Sequence, residues 1–182
     1  MGVIVTDRRQ LGLSGTEISL KPDEIIVTKT DLSGKITYGN RTFFKFAGYT
    51  EKECLGVQHN IVRHPDMPRV VFKAAWDTIQ DGREIFAYVN NRSKNGDNYW
   101  VLAHMTPSRD ANGKIVGYHS NRRAPDMKIV NETIIPLYNH YLQIERAAAS
   151  PKDGLASAYA DLQKMLAEKK QTFNEFTLSL GG

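Results

Sequence analysis

Residues 60–68 read NIVRHPDMP. Within four positions, Arg63, His64 and Asp66 bring together a planar fork of cationic donors, an imidazole that changes charge near neutrality, and a carboxylate. Pro65 and Pro68 bar the stretch from a helix interior or a central strand, so these groups sit on irregular backbone. One reading is a surface loop in which Arg63 and Asp66 pair with each other. The other is a cleft wall whose donors suit a carbonyl edge or a diphosphate. Turnover is not indicated. The chain has no nucleophile elbow, phosphate loop or HExxH motif, and His64 with Asp66 has no evident substrate partner, so an enzyme is not expected.

The elements that must position this segment are legible on both sides of it. EIIVTKT (24–30) and KITYG (35–39) are β-rich and separated by a turn ending in Ser33-Gly34. Asn-Gly pairs at 95–96 and 112–113 separate three further strand-like runs, REIFAYVNNR, NYWVLAHMT and KIVGYHSNR. Between the second and third runs the texture is helical. Thr50 and Glu53 form a capping box, and PRVVFKAAWDTIQDG starts with Pro68, spaces Val71, Phe72, Ala75, Trp76 and Ile79 helically, and stops at Gly82. The order predicts an α+β fold, a five-stranded antiparallel sheet with short helices on one face. In IFAYVNN, alternation puts Ile85, Ala87, Val89 and Asn91 on one face. If that face is the core, Asn91 brings in a buried amide that needs a partner, which a ligand can supply; otherwise Asn91 ends the strand in solvent.

Composition narrows the class. The 182 residues are 41% apolar and 24% charged, as in ordinary globular proteins, and suit one domain plus an appendage. The net charge of +4 is dispersed, which argues against a nucleic-acid partner. One cysteine, Cys54, excludes a disulfide framework and multi-cysteine metal sites. No run reaches membrane-span length and no signal peptide is evident, so a cytoplasmic location is expected.

These local words resemble a known family. NRTFFKFAGYTEKECLG, HNIVRHPDMP, the KNG and YW of NNRSKNGDNYWV, and VGYHSNRR are similar to the flavin-binding PAS sensors of Aer-type aerotaxis receptors, over roughly residues 24–140. The resemblance implies a PAS fold and an FAD-binding module that reports redox state or oxygen to a signalling partner. It assigns roles in flavin binding or signalling to Arg63, His64 and Asp66, and carries over to Asn40, Asn91 and Trp76. Phe72, Trp76 and Ile85 add apolar wall. The candidate cofactor site is therefore Asn40, Arg63, His64, Asp66, Phe72, Trp76, Ile85 and Asn91. Ile85 and Ala87 stand where flavin-binding members carry Trp and Gly, which removes a stacking surface. A cofactor-free interaction module and a haem-binding sensor using His59 or His64 are the alternatives. A light-driven flavin adduct would need a cysteine in NIVRHPDMP, and there is none.

Three segments follow: an N-terminal cap (1–22), the PAS sensor domain (23–123) and a C-terminal helical hairpin (124–182). In the last, Met127, Val130, Ile134, Leu137, Tyr141, Ile144 and Ala148 form one apolar stripe, and Tyr159, Leu162, Leu166, Lys169, Phe173, Phe176 and Leu180 a second. Ser150, Pro151 and Asp153 mark the second helix start, and Pro136 should kink or split the first helix. Stripes of this kind call for a partner surface, so a homodimer through these helices is expected, with cover by the chain itself as the alternative.

Overall fold

Asp31 organises the first turn: its Oδ1 accepts the N–H groups of Ser33 (2.8 Å) and Lys35 (2.9 Å), joining β1 (Ile26–Thr30) to β2 (Ile36–Gly39). The computed structural model describes residues 12–181. After β2 come α1 (Arg41–Ala47), α2 (Glu51–Cys54), a 3-10 turn (His59–Val62) and α3 (Arg69–Gln80). The meander β3 (Ile85–Arg92), β4 (Asn98–Arg109) and β5 (Ile115–Arg123) then completes an antiparallel sheet in the order β2-β1-β5-β4-β3. The five strands and the helical layer match the α+β expectation.

Local chemistry explains the helical layer. Asn40 caps α1 by accepting from Phe43 N (2.9 Å), and the Thr50–Glu53 capping box opens α2. Phe43, Ile26 and Ile36 are fully buried in the core beneath them, each contributing roughly 1.5–3 kcal/mol of burial.

Register decides what faces that layer. Thr28 lies opposite Ser120 and Thr30 opposite Tyr118, while Ser120 also faces Met105. Because side chains alternate, Thr28, Thr30, Tyr118, Ser120, Arg122, Met105 and Ile85 share one face, and Asn91 joins it from β3.

The C-terminal segment departs from a simple hairpin in two places. The chain is helical from Met127, through α4 (Met127–Ile129), a π turn (Val130–Ile134) and α5 (Ile135–Ala147). The Ile135 N–H reaches back to Val130 O in the wide turn, and Pro136 falls in the first turn of α5. The helix thus passes the proline by widening just before it instead of breaking. The second departure is that the predicted stripe from Tyr159 to Leu180 is two helices, α6 (Pro151–Lys169) and α7 (Phe173–Ser179). Lys170 adopts left-handed backbone (φ 54°), and a Thr172–Glu175 capping box starts the new helix.

These helices cover the chain itself. Tyr138 Oη donates to Tyr88 O (2.6 Å), and its ring lies 6.1 Å from that of Trp100. Asn174 accepts from Phe86 N and donates to Glu84 O (both 2.8 Å), occupying backbone groups on the free edge of β3. Val130, Ile134, Tyr141, Leu162, Leu166 and Phe176 are all buried within this one chain. Much of each stripe therefore finds its partner surface within the chain itself.

Of the expected N-terminal cap, residues 1–11 lie outside the described residues. Ile18 N donates to Asn98 O (2.8 Å) and Asn98 N to Thr16 O (2.9 Å), tying the remainder to the start of β4.

Candidate functional site

Strand β5 sends Tyr118, Ser120 and Arg122 toward α3, and the two do not close on each other. Between them lies a cavity of about 200 Å³. Phe72, Ala75, Trp76 and Ile79 of α3 form its apolar wall with Val62 and Met105. Thr28, Thr30, Asn91, Tyr118, Ser120 and Arg122 form a polar floor on the sheet. The hairpin turn closes one side at Gly34, whose φ of +82° favours glycine; a Cβ there would lie 3.1 Å from the Trp76 ring. Trp76 also packs edge-on to Tyr118, with centroids 5.4 Å apart.

The floor holds a buried cation. Arg122, 6% exposed, donates through one Nη to Thr28 Oγ1 and to His59 Nε2, both at 2.8 Å. Thr28 Oγ1 is also 3.1 Å from that nitrogen. Burial, and then the neighbouring Arg122 charge, draw the His59 pKa down to about 3, so the imidazole is neutral and accepts the guanidinium N–H. Burial lowers Arg122 to about 10, which still leaves it charged at neutral pH.

Two hydroxyls beside this cluster, Thr30 Oγ1 and Ser120 Oγ, are buried with no hydrogen-bond partner among the described residues. Asn91 is 4% exposed, and no side-chain hydrogen bond from it is found among the described residues. Unsatisfied buried polar groups cost about 1–3 kcal/mol each, so a floor carrying these two hydroxyls suits an occupant that satisfies them. Apolar walls over polar groups suit a flat heteroaromatic ring with a hydrogen-bonding edge. The volume is below the ~300–1,000 Å³ of typical ligand sites.

Of the residues singled out from sequence, Arg63, Phe72, Trp76 and Asn91 line this cavity. Arg63 lies over the Phe72 ring (4.4 Å to the centroid) and donates to Met67 O (2.8 Å). The other four are elsewhere. Asn40 is occupied as a helix cap, accepting from Val27 N (3.1 Å) as well and donating to Ile25 O (2.8 Å). Buried His64 holds its own loop, with Nδ1 accepting from Asp66 N (3.1 Å), and burial lowers its pKa. Asp66 is exposed, its Oδ1 accepting from Arg146 Nη2 of α5 (3.2 Å). Ile85 is fully buried behind the cavity against Ala75, Ile79 and Tyr118.

The residues missed were Thr28, Thr30, Ser120 and Arg122, and His59 in its actual role. The only signal was the alternation Tyr118, Ser120, Arg122 in VGYHSNRR, which does not say which face turns inward. A haem ligand is not favoured at His59, whose Nε2 is already engaged by Arg122, or at His64, which is outside the cavity lining. Among the described residues no group of three or more His, Cys, Asp or Glu is placed to hold a metal ion. Cys54 is buried outside the cavity lining, its thiol pushed up to about 11 by burial.

Comparison with known proteins agrees with this architecture. Residues 36–122 match the PAS fold family model. The aerotaxis receptor of Escherichia coli K12 is 45% identical over 120 residues, covering 65% of this chain and 23% of that receptor. Phototropin-2 of rice is 28% identical over 100 residues, 55% of this chain and 11% of its own length. The chain thus spans under a quarter of either relative. Among solved structures, the LOV domain of the blue-light photoreceptor Aureochrome1 in its dark state superposes with a TM-score of 0.52 at 25% identity, covering 66% of this chain and 86% of that one. Strand order, helical layer and family match together show a PAS fold, with residues 36–122 matching the family model and the chain similar in sequence to part of the aerotaxis receptor.

Proposed function

We propose that this PAS domain is a cytosolic redox sensor, not a catalyst, that binds a flavin, FAD, in the cavity between α3 and β5 and reports its state to a separate signalling protein. The observation that carries the reading is the pair of buried, unpartnered hydroxyls of Thr30 and Ser120 beneath an apolar wall. The similarity to an aerotaxis receptor supports it.

A bound flavin supplies a reversible redox change that alters charge and protonation at its ring. Asn91, Thr30 and Ser120 would hold its polar edge, and Phe72, Trp76, Val62 and Met105 its faces. Arg63 stands on the loop side, held over Phe72. His59 and Thr28 orient the Arg122 guanidinium at the floor. α3 is the element through which occupancy of the cavity reaches the C-terminal helices, since it packs on the sheet, α5 and α6.

The test is the visible absorption spectrum of freshly purified protein, with chromatography of the chromophore released on denaturation. Oxidised-flavin bands and released FAD support the proposal. A Soret band or a colourless protein that takes up no added FAD or FMN contradicts it.

A further inference from the structure

Arg122 has no carboxylate within ion-pair distance among the described residues, although nine other basic side chains do. A buried charge is ordinarily paired, because removing it from water costs several kcal/mol. Among the described residues the guanidinium donates to neutral partners, the Thr28 hydroxyl and the His59 ring. The exposed alternative is close at hand in the sequence, since Arg123 on the same strand turns outward and is exposed. Arg122 instead lines the cavity on the same sheet face as the unpartnered Ser120 hydroxyl, two residues before it.

We infer that the cavity is an anion-recognising site in which Arg122 is the charge-selecting residue: the occupant places a negative edge, permanent or gained on reduction, against the Arg122 guanidinium. The inference deepens the flavin reading and rests on it only for the identity of the occupant. His59 acts through Arg122 as a positioning residue. With its proton on the far nitrogen, its Nε2 lone pair fixes the guanidinium orientation without cancelling the charge.

Two measurements decide it. In flavin-loaded protein, Arg122→Gln should lower the affinity for reduced relative to oxidised flavin about tenfold, a fall in midpoint potential of about 30 mV for a two-electron couple, while Arg122→Lys keeps most of the wild-type value. A melting curve establishes that each variant is folded. An unchanged potential in folded, flavin-loaded Arg122→Gln overturns the inference and leaves the flavin reading standing. The second measurement needs neither a variant nor a flavin. Benzoate and benzamide are similar in shape and differ in charge. In wild-type chain freed of chromophore, benzoate should raise the melting temperature more than equimolar benzamide does. Equal shifts, a larger benzamide shift or no shift from either overturns the inference. A colourless protein that responds selectively to benzoate would retire the flavin and keep the anion site.

Discussion

The Glu145 carboxylate, near the end of α5, accepts hydrogen bonds from the backbone N–H groups of Arg69 (3.0 Å) and Val70 (2.8 Å), capping α3 from the far side of the sequence. Pro68 sits at the cap position of α3 and offers no side-chain acceptor, so Glu145 satisfies donors its own helix leaves open. The Arg69 guanidinium adds a bond to Pro151 O (2.6 Å), and Arg146 contacts Asp66, so the helix walling the cavity is bonded to the α5–α6 corner at several points. Glu145→Ala should cost about 1–2 kcal/mol, by loss of an anionic helix cap, measured by chemical unfolding. A loss under about 0.3 kcal/mol would mean that water caps the helix equally well.

Ser120 separates stability from binding. Its buried hydroxyl has no partner among the described residues, so Ser120→Ala should leave the ligand-free chain as stable as wild type or up to about 1 kcal/mol more stable. The same change should weaken flavin binding several-fold, read by equilibrium titration. Destabilisation of the ligand-free chain together with unaltered affinity would show that the hydroxyl serves the fold.

The half-buried His59 imidazole, set against Arg122, sets an acid limit. His59 titrates near 3 in the folded chain, against an ordinary 6.5 when unfolded, because burial first and Arg122 second oppose its charging. Its contribution is therefore complete above about pH 6.5 and is lost as pH falls toward 3, when the unfolded chain takes up the proton and the folded chain does not. About 1–2 kcal/mol should be lost from this residue between pH 7.5 and 5. His64 and His119, also lowered by burial, act in the same direction. Comparing wild type with His59→Gln at both pH values isolates His59: the variant should show a smaller acid loss, and an identical loss would contradict a neutral imidazole.

The architecture was readable because its signals are local. Alternating runs, two Asn-Gly turns, the Thr50–Glu53 box and the Ser150–Asp153 cap all act over a few residues, and the structure contains each. The site was readable only in part. Asn91 and Trp76 follow from alternation and helical spacing, but the partners of Arg122 come from pairings 63 and 94 residues away, and Glu145 reaches 75 and 76 residues to α3. No local pattern contains those distances. The α6–α7 break was readable, since Thr172 and Glu175 are spaced as a capping box, but the apolar stripe runs straight through it. His64 and Asp66 show what a conspicuous word leaves unsaid: His64 accepts from the Asp66 N–H within its own loop, and Asp66 reaches α5 through Arg146.

Asp66 supplies a contrast. It is exposed and its contact to Arg146 is a surface ion pair, so Asp66→Asn should change stability by less than about 0.5 kcal/mol and leave flavin affinity unchanged. A large fall in affinity would return Asp66 to the binding site.

Flavin stoichiometry in a cavity-filling variant reports whether a flavin sits between α3 and β5. Ala75 lines that space, so Ala75→Phe fills it, at an overpacking cost of roughly 1–3 kcal/mol. Wild type should carry one flavin per chain, and Ala75→Phe that remains folded by circular dichroism should carry none. A folded Ala75→Phe that retains one flavin per chain would place the flavin outside this cavity.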